Sequence, residues 1–148
     1  MESSIIVSII TVAGSFILVY LSTVKDRVNQ KYNVRKEQLN NFYIPFYQHY
    51  CAGFLFENSF SQLDLDGRSI FFDLFTKNLH LMEPTSQSMY CDFYRAFLDL
   101  LEAENQNQYF SITICSHNMD RIFSSISQTI FCEYKDILKK CHLPVPLI

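Results

Sequence analysis

Residues Ser4 to Ser22 form a run of nineteen without a charge. At about 1.5 Å per residue a helix over this run is roughly 28 Å long, close to the ~30 Å hydrocarbon core of a bilayer. Twelve of its positions are Ile, Val, Leu, Phe or Ala. The strongly apolar ones each favour insertion by about 0.3–0.6 kcal/mol, which outweighs the weak cost of a few hydroxyls. The run therefore predicts a transmembrane helix over residues 1–24, with the lipid bilayer as the chain's first partner.

The run also has a pattern. Ser4, Ser8, Thr11, Ser15 and Ser22 fall at spacings of 4, 3, 4 and 7, a seam interrupted only by Leu18, with Gly14 beside it. Small and hydroxylated residues let membrane helices approach closely and bond across the contact. The seam can be an association face between copies, or the lining of a water-filled pore in a ring of helices. It can also be neither, since Ser and Thr in a span can bond their own i−4 carbonyls.

Charge sets the expected orientation. Before the run stand only Met1 and Glu2. After it come Lys25, Arg27, Lys31, Arg35 and Lys36 against Asp26 and Glu37. Basic residues stay cytoplasmic, so the N-terminus is expected outside and the rest of the chain inside, as in a single-pass protein of a cell's inner membrane. A cleaved signal would need a basic leading region and an Ala-x-Ala-like site, and the sequence has neither. The five cysteines are odd in number and lack paired spacings, as in a reduced cytosolic domain.

Beyond the run, apolar residues recur at helical spacing. Val24, Val28, Tyr32, Leu39 and Phe42 extend the first helix as a basic stalk over residues 25–44. The five basic side chains are either a solvated face or a contact with anionic head groups. Pro45 then forces a kink or a restart. Phe42, Tyr43, Phe46, Tyr47 and Tyr50 are expected to form the hinge core between stalk and domain.

Residues 45–148 predict a cytosolic all-α bundle. A second helix runs to about residue 58. A loop over 59–67 holds Asp64-Leu-Asp66-Gly67, read as a turn and cap because the other ligands of a calcium loop are missing. A third helix covers about 68–82. A fourth covers about 87–104, capped by Ser86 or Ser88. A fifth covers about 109–141, whole or as two pieces. The apolar, Pro-containing run His142–Ile148 ends the pattern and is an odd native terminus, compatible with a chain that runs on. The overall expectation is all-α, with no strand pattern.

No catalytic motif stands out. The sequence has no Gly-rich phosphate loop, zinc-protease motif or nucleophile elbow. Cys115/His117 and Cys141/His142 sit one or two residues apart, on different helix faces, and predict no metal site. Glu102 and Glu104 sit at a helix end and are read as solvated. A net charge of −3 and a pI near 5.7 disfavour nucleic acid as a bulk electrostatic partner. The chain is expected not to be an enzyme and to hold no cofactor or metal.

In plan, a span and charged stalk leading into Phe42-Tyr-Ile-Pro45-Phe46 resembles small bacterial single-pass proteins. More narrowly, the chain is similar to the membrane accessory proteins of type VI-B CRISPR systems, which pair an N-terminal membrane helix with a divergent HEPN-like helical domain. The resemblance implies a homo-oligomer, pore formation, and antiviral defence by membrane permeabilisation alongside an RNA-guided nuclease. It rests on architecture. The HEPN signature of Arg, four to six residues, then His fits none of His49, His80, His117 or His142. The alternatives are an anchor that presents a helical domain to a cytosolic partner and, more weakly, a membrane-tethered nuclease.

Overall fold

The structure, a computed structural model, describes the backbone of residues 2–105 and 111–146, and side chains from Ser15 onward within those ranges. Every regular element among them is helical, so the chain is all-α. It divides into two compact units, Met1–Lys36 and Glu37–Ile148.

The first unit is most of α1 (Glu2–Gln38). Its described apolar residues have no packing of their own. Phe16, Ile17, Leu18, Val19, Tyr20 and Leu21 are 57–73% exposed, and Val24, Val28 and Tyr32 stay exposed further along.

The second unit opens on the last two residues of α1 and a π-turn, Leu39–Tyr43, in which the Ile44 N–H reaches the Leu39 carbonyl. Pro45 explains it. A proline ring clashes with the carbonyl four residues back and offers no N–H to it, so a widened turn just upstream relieves both problems. Phe42 and Tyr43 are both fully buried, as is Phe46 in α2 (Ile44–Ala52). These residues, expected at a hinge between stalk and domain, are core residues of the second unit. Residues 37–44, expected in the stalk, also belong to that unit.

The helix ends differ from the sequence reading for local reasons. α2 stops at Ala52 because Gly53 and a left-handed Phe54 close it. A short 3₁₀ turn, Phe60–Gln62, precedes α3 (Leu65–Lys77), which starts three residues earlier than expected. Asp64 is its N-cap and accepts the Gly67 N–H at 2.8 Å, so Gly67 lies in the first helical turn and not in the loop. The expected fourth helix is two pieces, α4 (Pro84–Ser88) and α5 (Tyr90–Glu104), with Pro84 starting the first. α6 is unbroken from Ile112 to Lys140, its Ser-rich centre included.

The core is aromatic. α5 and α6 pack along each other, α2 packs on α3, and aromatic rings join the two pairs. Phe60 and Phe123 stack with centroids 4.0 Å apart, and Phe75 meets Phe93 at 4.7 Å. Phe46 lies within 5.8 Å of both Phe71 and Phe75 and 5.5 Å from Phe131. Offset and edge-on contacts of this kind add stabilisation beyond area burial.

Candidate functional site

Of the hydroxylated seam, Ser4, Ser8 and Thr11 lie outside the residues whose side chains are described. Ser15 and Ser22 are exposed on α1. Nearby, Thr23 Oγ1 donates to the Val19 carbonyl at 2.9 Å, the local bonding that a lone span uses. Among the described residues no helix is long and apolar enough to cross a membrane, and residues 4–14 of the uncharged run are outside that description.

The basic residues do form a surface. Lys25, Arg27, Lys31 and Lys36 are exposed and Arg35 is partly so. None is in an ion pair among the described residues, where the pairs are Arg68–Glu104, Lys77–Asp73 and Lys139–Asp136. Helical spacing of four puts Arg27, Lys31 and Arg35 on one side of α1.

The bundle's most connected polar group is Glu133 on α6. Its Oε1 accepts the Ser86 N–H at 3.0 Å, and its Oε2 accepts the Ser86 hydroxyl at 2.7 Å and the Tyr43 hydroxyl at 3.0 Å. The Tyr43 oxygen in turn accepts the Glu83 N–H at 3.2 Å. Gln38 Nε2 donates to the Leu81 carbonyl at 3.0 Å and the Glu83 carboxylate at 3.3 Å. Burial pushes the Glu133 carboxyl above its ordinary range, the three donors pull it back, and the nearby Glu83 charge pushes it up again. Burial, with Glu133 beside it, likewise holds the Tyr43 phenol well above its usual value. Both carboxylate oxygens are occupied, so the cluster is suited to fastening the π-turn, α4 and α6 together, and poorly suited to proton transfer.

Sequence reading missed this cluster. The sequence offers Ser86 or Ser88 as a helix cap, but both lie inside α4, and Ser86 is fully buried and bonds Glu133. Glu133 sits between apolar α6 positions, and nothing in its spacing marks it. Glu104 is not simply solvated either. It takes Arg68 Nη2 at 2.8 Å, and Arg68 is 4% exposed. A third link joins Asp120 on α6 to the N–H and hydroxyl of Ser61, at 2.7 and 2.8 Å.

The Cys–His pairs are not brought together with other ligands. Cys115 is buried while His117 is exposed, and His142 has a left-handed backbone after α6. The described residues contain no group of three His, Cys, Asp or Glu placed to hold a metal ion. Compared with models of protein families, with curated proteins and with solved structures, the chain matches none.

Proposed function

We propose that the chain is a single-pass membrane protein that assembles with copies of itself through its N-terminal helix and permeabilises the bilayer. The observation that carries this is the first unit itself. Phe16 to Leu21 are more than half exposed on all sides of α1, an apolar surface with no core of its own in the first unit. Apolar residues on all sides of a helix suit lipid or other helices, and the exposed basic residues that follow suit anionic head groups.

Within such an assembly Ser4, Ser8, Thr11, Ser15 and Ser22 line the contact or the pore. The N-terminus lies outside and the all-α bundle in the cytoplasm. The resemblance in plan to the type VI-B accessory proteins supports a role in antiviral defence, in cooperation with an RNA-guided nuclease.

Three measurements test the reading. Alkaline carbonate should leave the full chain in the membrane fraction, and its mass in detergent should be that of several chains. In vesicles it should leak ions, and Thr11→Leu with Ser15→Leu should abolish the leak. Release by carbonate refutes membrane insertion. Unchanged leak in the double variant refutes the pore role of the seam.

A further inference from the structure

The bundle carries a feature that costs it stability and that its own packing does not use. α2 closes with the Leu55 N–H on the Tyr50 carbonyl at 3.2 Å and the Phe54 N–H on the Cys51 carbonyl at 3.1 Å. This arrangement needs a left-handed residue at position 54, which glycine supplies without a steric penalty. Phe54 takes the position instead, at φ 52°, while Gly53 stands one residue early. Its ring is 67% exposed. The loop is nevertheless firmly held. The Phe54 carbonyl accepts from the Glu57 N–H at 3.0 Å, the Asn58 N–H at 3.0 Å and Asn58 Nδ2 at 3.2 Å, and Leu55 is buried beside it. Phe54 is therefore a fixed apolar knob with exposed Glu57 next to it.

A matching recess lies on α5. Tyr90, Tyr94 and Leu98, four residues apart, line an open groove of 450 Å³ with Cys91 and Arg95. Phe72 supports it, 5.3 Å from the Tyr94 ring. Arg95 is exposed and in no ion pair among the described residues. Knob and groove share no residue. The knob loop leans on Tyr50 and Phe131 through Phe56, and the groove rests on α3.

We infer that Phe54 of one copy seats in the Tyr90–Tyr94–Leu98 groove of the next, with Glu57 meeting Arg95. Apolar surface meets apolar surface, and an acid meets a base, neither of them in an ion pair among the described residues. Knob and groove do not overlap, so each copy can offer its knob to one neighbour and its groove to another, a head-to-tail contact that can repeat around an axis. Where the rotation between neighbours closes, that repeat is a ring. The inference rests on the self-assembly proposed above and adds the contact that sets it.

The test uses the full chain in detergent, with mass by light scattering. Phe54→Gly should retain the helical signal, since glycine suits position 54, and should lose the wild-type mass. Glu57→Arg and Arg95→Glu should each lower the mass, and the two together should restore it. A short bismaleimide should link wild-type copies through exposed Cys51 and Cys91 into a ladder that Cys91→Ser abolishes. A wild-type mass of one chain refutes self-assembly and this contact with it. A multimeric wild type whose mass survives Phe54→Gly and both single charge reversals refutes the contact alone. So does a Phe54→Gly variant that changes only lipid binding or capture of another protein.

Discussion

Tyr43→Phe should destabilise the bundle by about 2–3 kcal/mol, although it removes one atom and leaves the core shape unchanged. Tyr43 is fully buried and its ring lies parallel to Tyr134 at 6.3 Å, a contact that phenylalanine keeps. What disappears is the hydroxyl, which donates to Glu133 at 3.0 Å and accepts the Glu83 N–H at 3.2 Å. A hydrogen bond to a charged group is worth about 1.5–3 kcal/mol, and an orphaned buried N–H costs about 1–3. Both partners are only part-buried, so water recovers some of this and the sum falls near the lower figures. For a unit of this size the loss corresponds to a fall of roughly 8–15 °C in thermal midpoint.

The pH dependence gives a second handle on the same bond. Glu133's carboxyl lies above its ordinary 4.5 in the fold. The native state thus binds a proton where the unfolded chain does not. The associated stability is fully present below about 4.5 and is lost as pH rises through the folded value. Removing the Tyr43 donor raises the folded value further, so the cost of Tyr43→Phe should be larger at neutral pH than near pH 4.5. Urea unfolding of the full chain in detergent, followed by circular dichroism at both pH values, measures this. A cost below about 0.5 kcal/mol, or an equal cost at both pH values, would refute the assignment of Glu133 as the ionised acceptor.

Three further outcomes follow from the packing. Phe46→Ala, which empties a fully buried site ringed by Phe71, Phe75 and Phe131, should cost about 3–5 kcal/mol by the same urea assay. Asp64→Ala removes the cap on the Gly67 N–H and should cost about 1 kcal/mol, with Asp64→Asn recovering most of it. Phe54→Gly should raise the thermal midpoint, since a left-handed non-glycine residue costs about 1–2 kcal/mol relative to glycine.

The helices were legible wherever a single apolar stripe meets a core. The i, i+3, i+4 pattern of Phe93, Ala96, Phe97 and Leu100 on α5, and of Met119, Phe123, Ile126 and Ile130 on α6, predicts those residues as buried, and they are. Where the period changes, the pattern misleads. Phe42 and Tyr43 are adjacent and both fully buried, and the π-turn that carries them into Pro45 leaves no mark in the spacing of apolar residues. The end of α2 was hidden for a related reason, because the left-handed residue that closes it is a phenylalanine following the glycine. The polar cluster was hidden because its members, Gln38, Tyr43, Ser86 and Glu133, are far apart in sequence and none has a spacing that implies the others. Long-range hydrogen bonds leave no local pattern to read.

That contrast separates the groups that stabilise the bundle from those available for function. Glu133, Ser61, Asp120 and Glu104 all have partners inside the second unit, and each is accounted for by the fold. Phe54 is strained and exposed, Arg95 is in no ion pair among the described residues, and Phe16 to Leu21 are more than half exposed. A folded chain tolerates such costs without gain to itself, so the gain has to come from contacts beyond the chain. An exposed aromatic held rigidly in an unfavourable backbone conformation is the most specific of these signs, because a single glycine would remove both costs and leave every hydrogen bond of the turn in place. If Phe54→Gly gives a more stable protein that no longer assembles, stability and assembly trade against each other at that one residue.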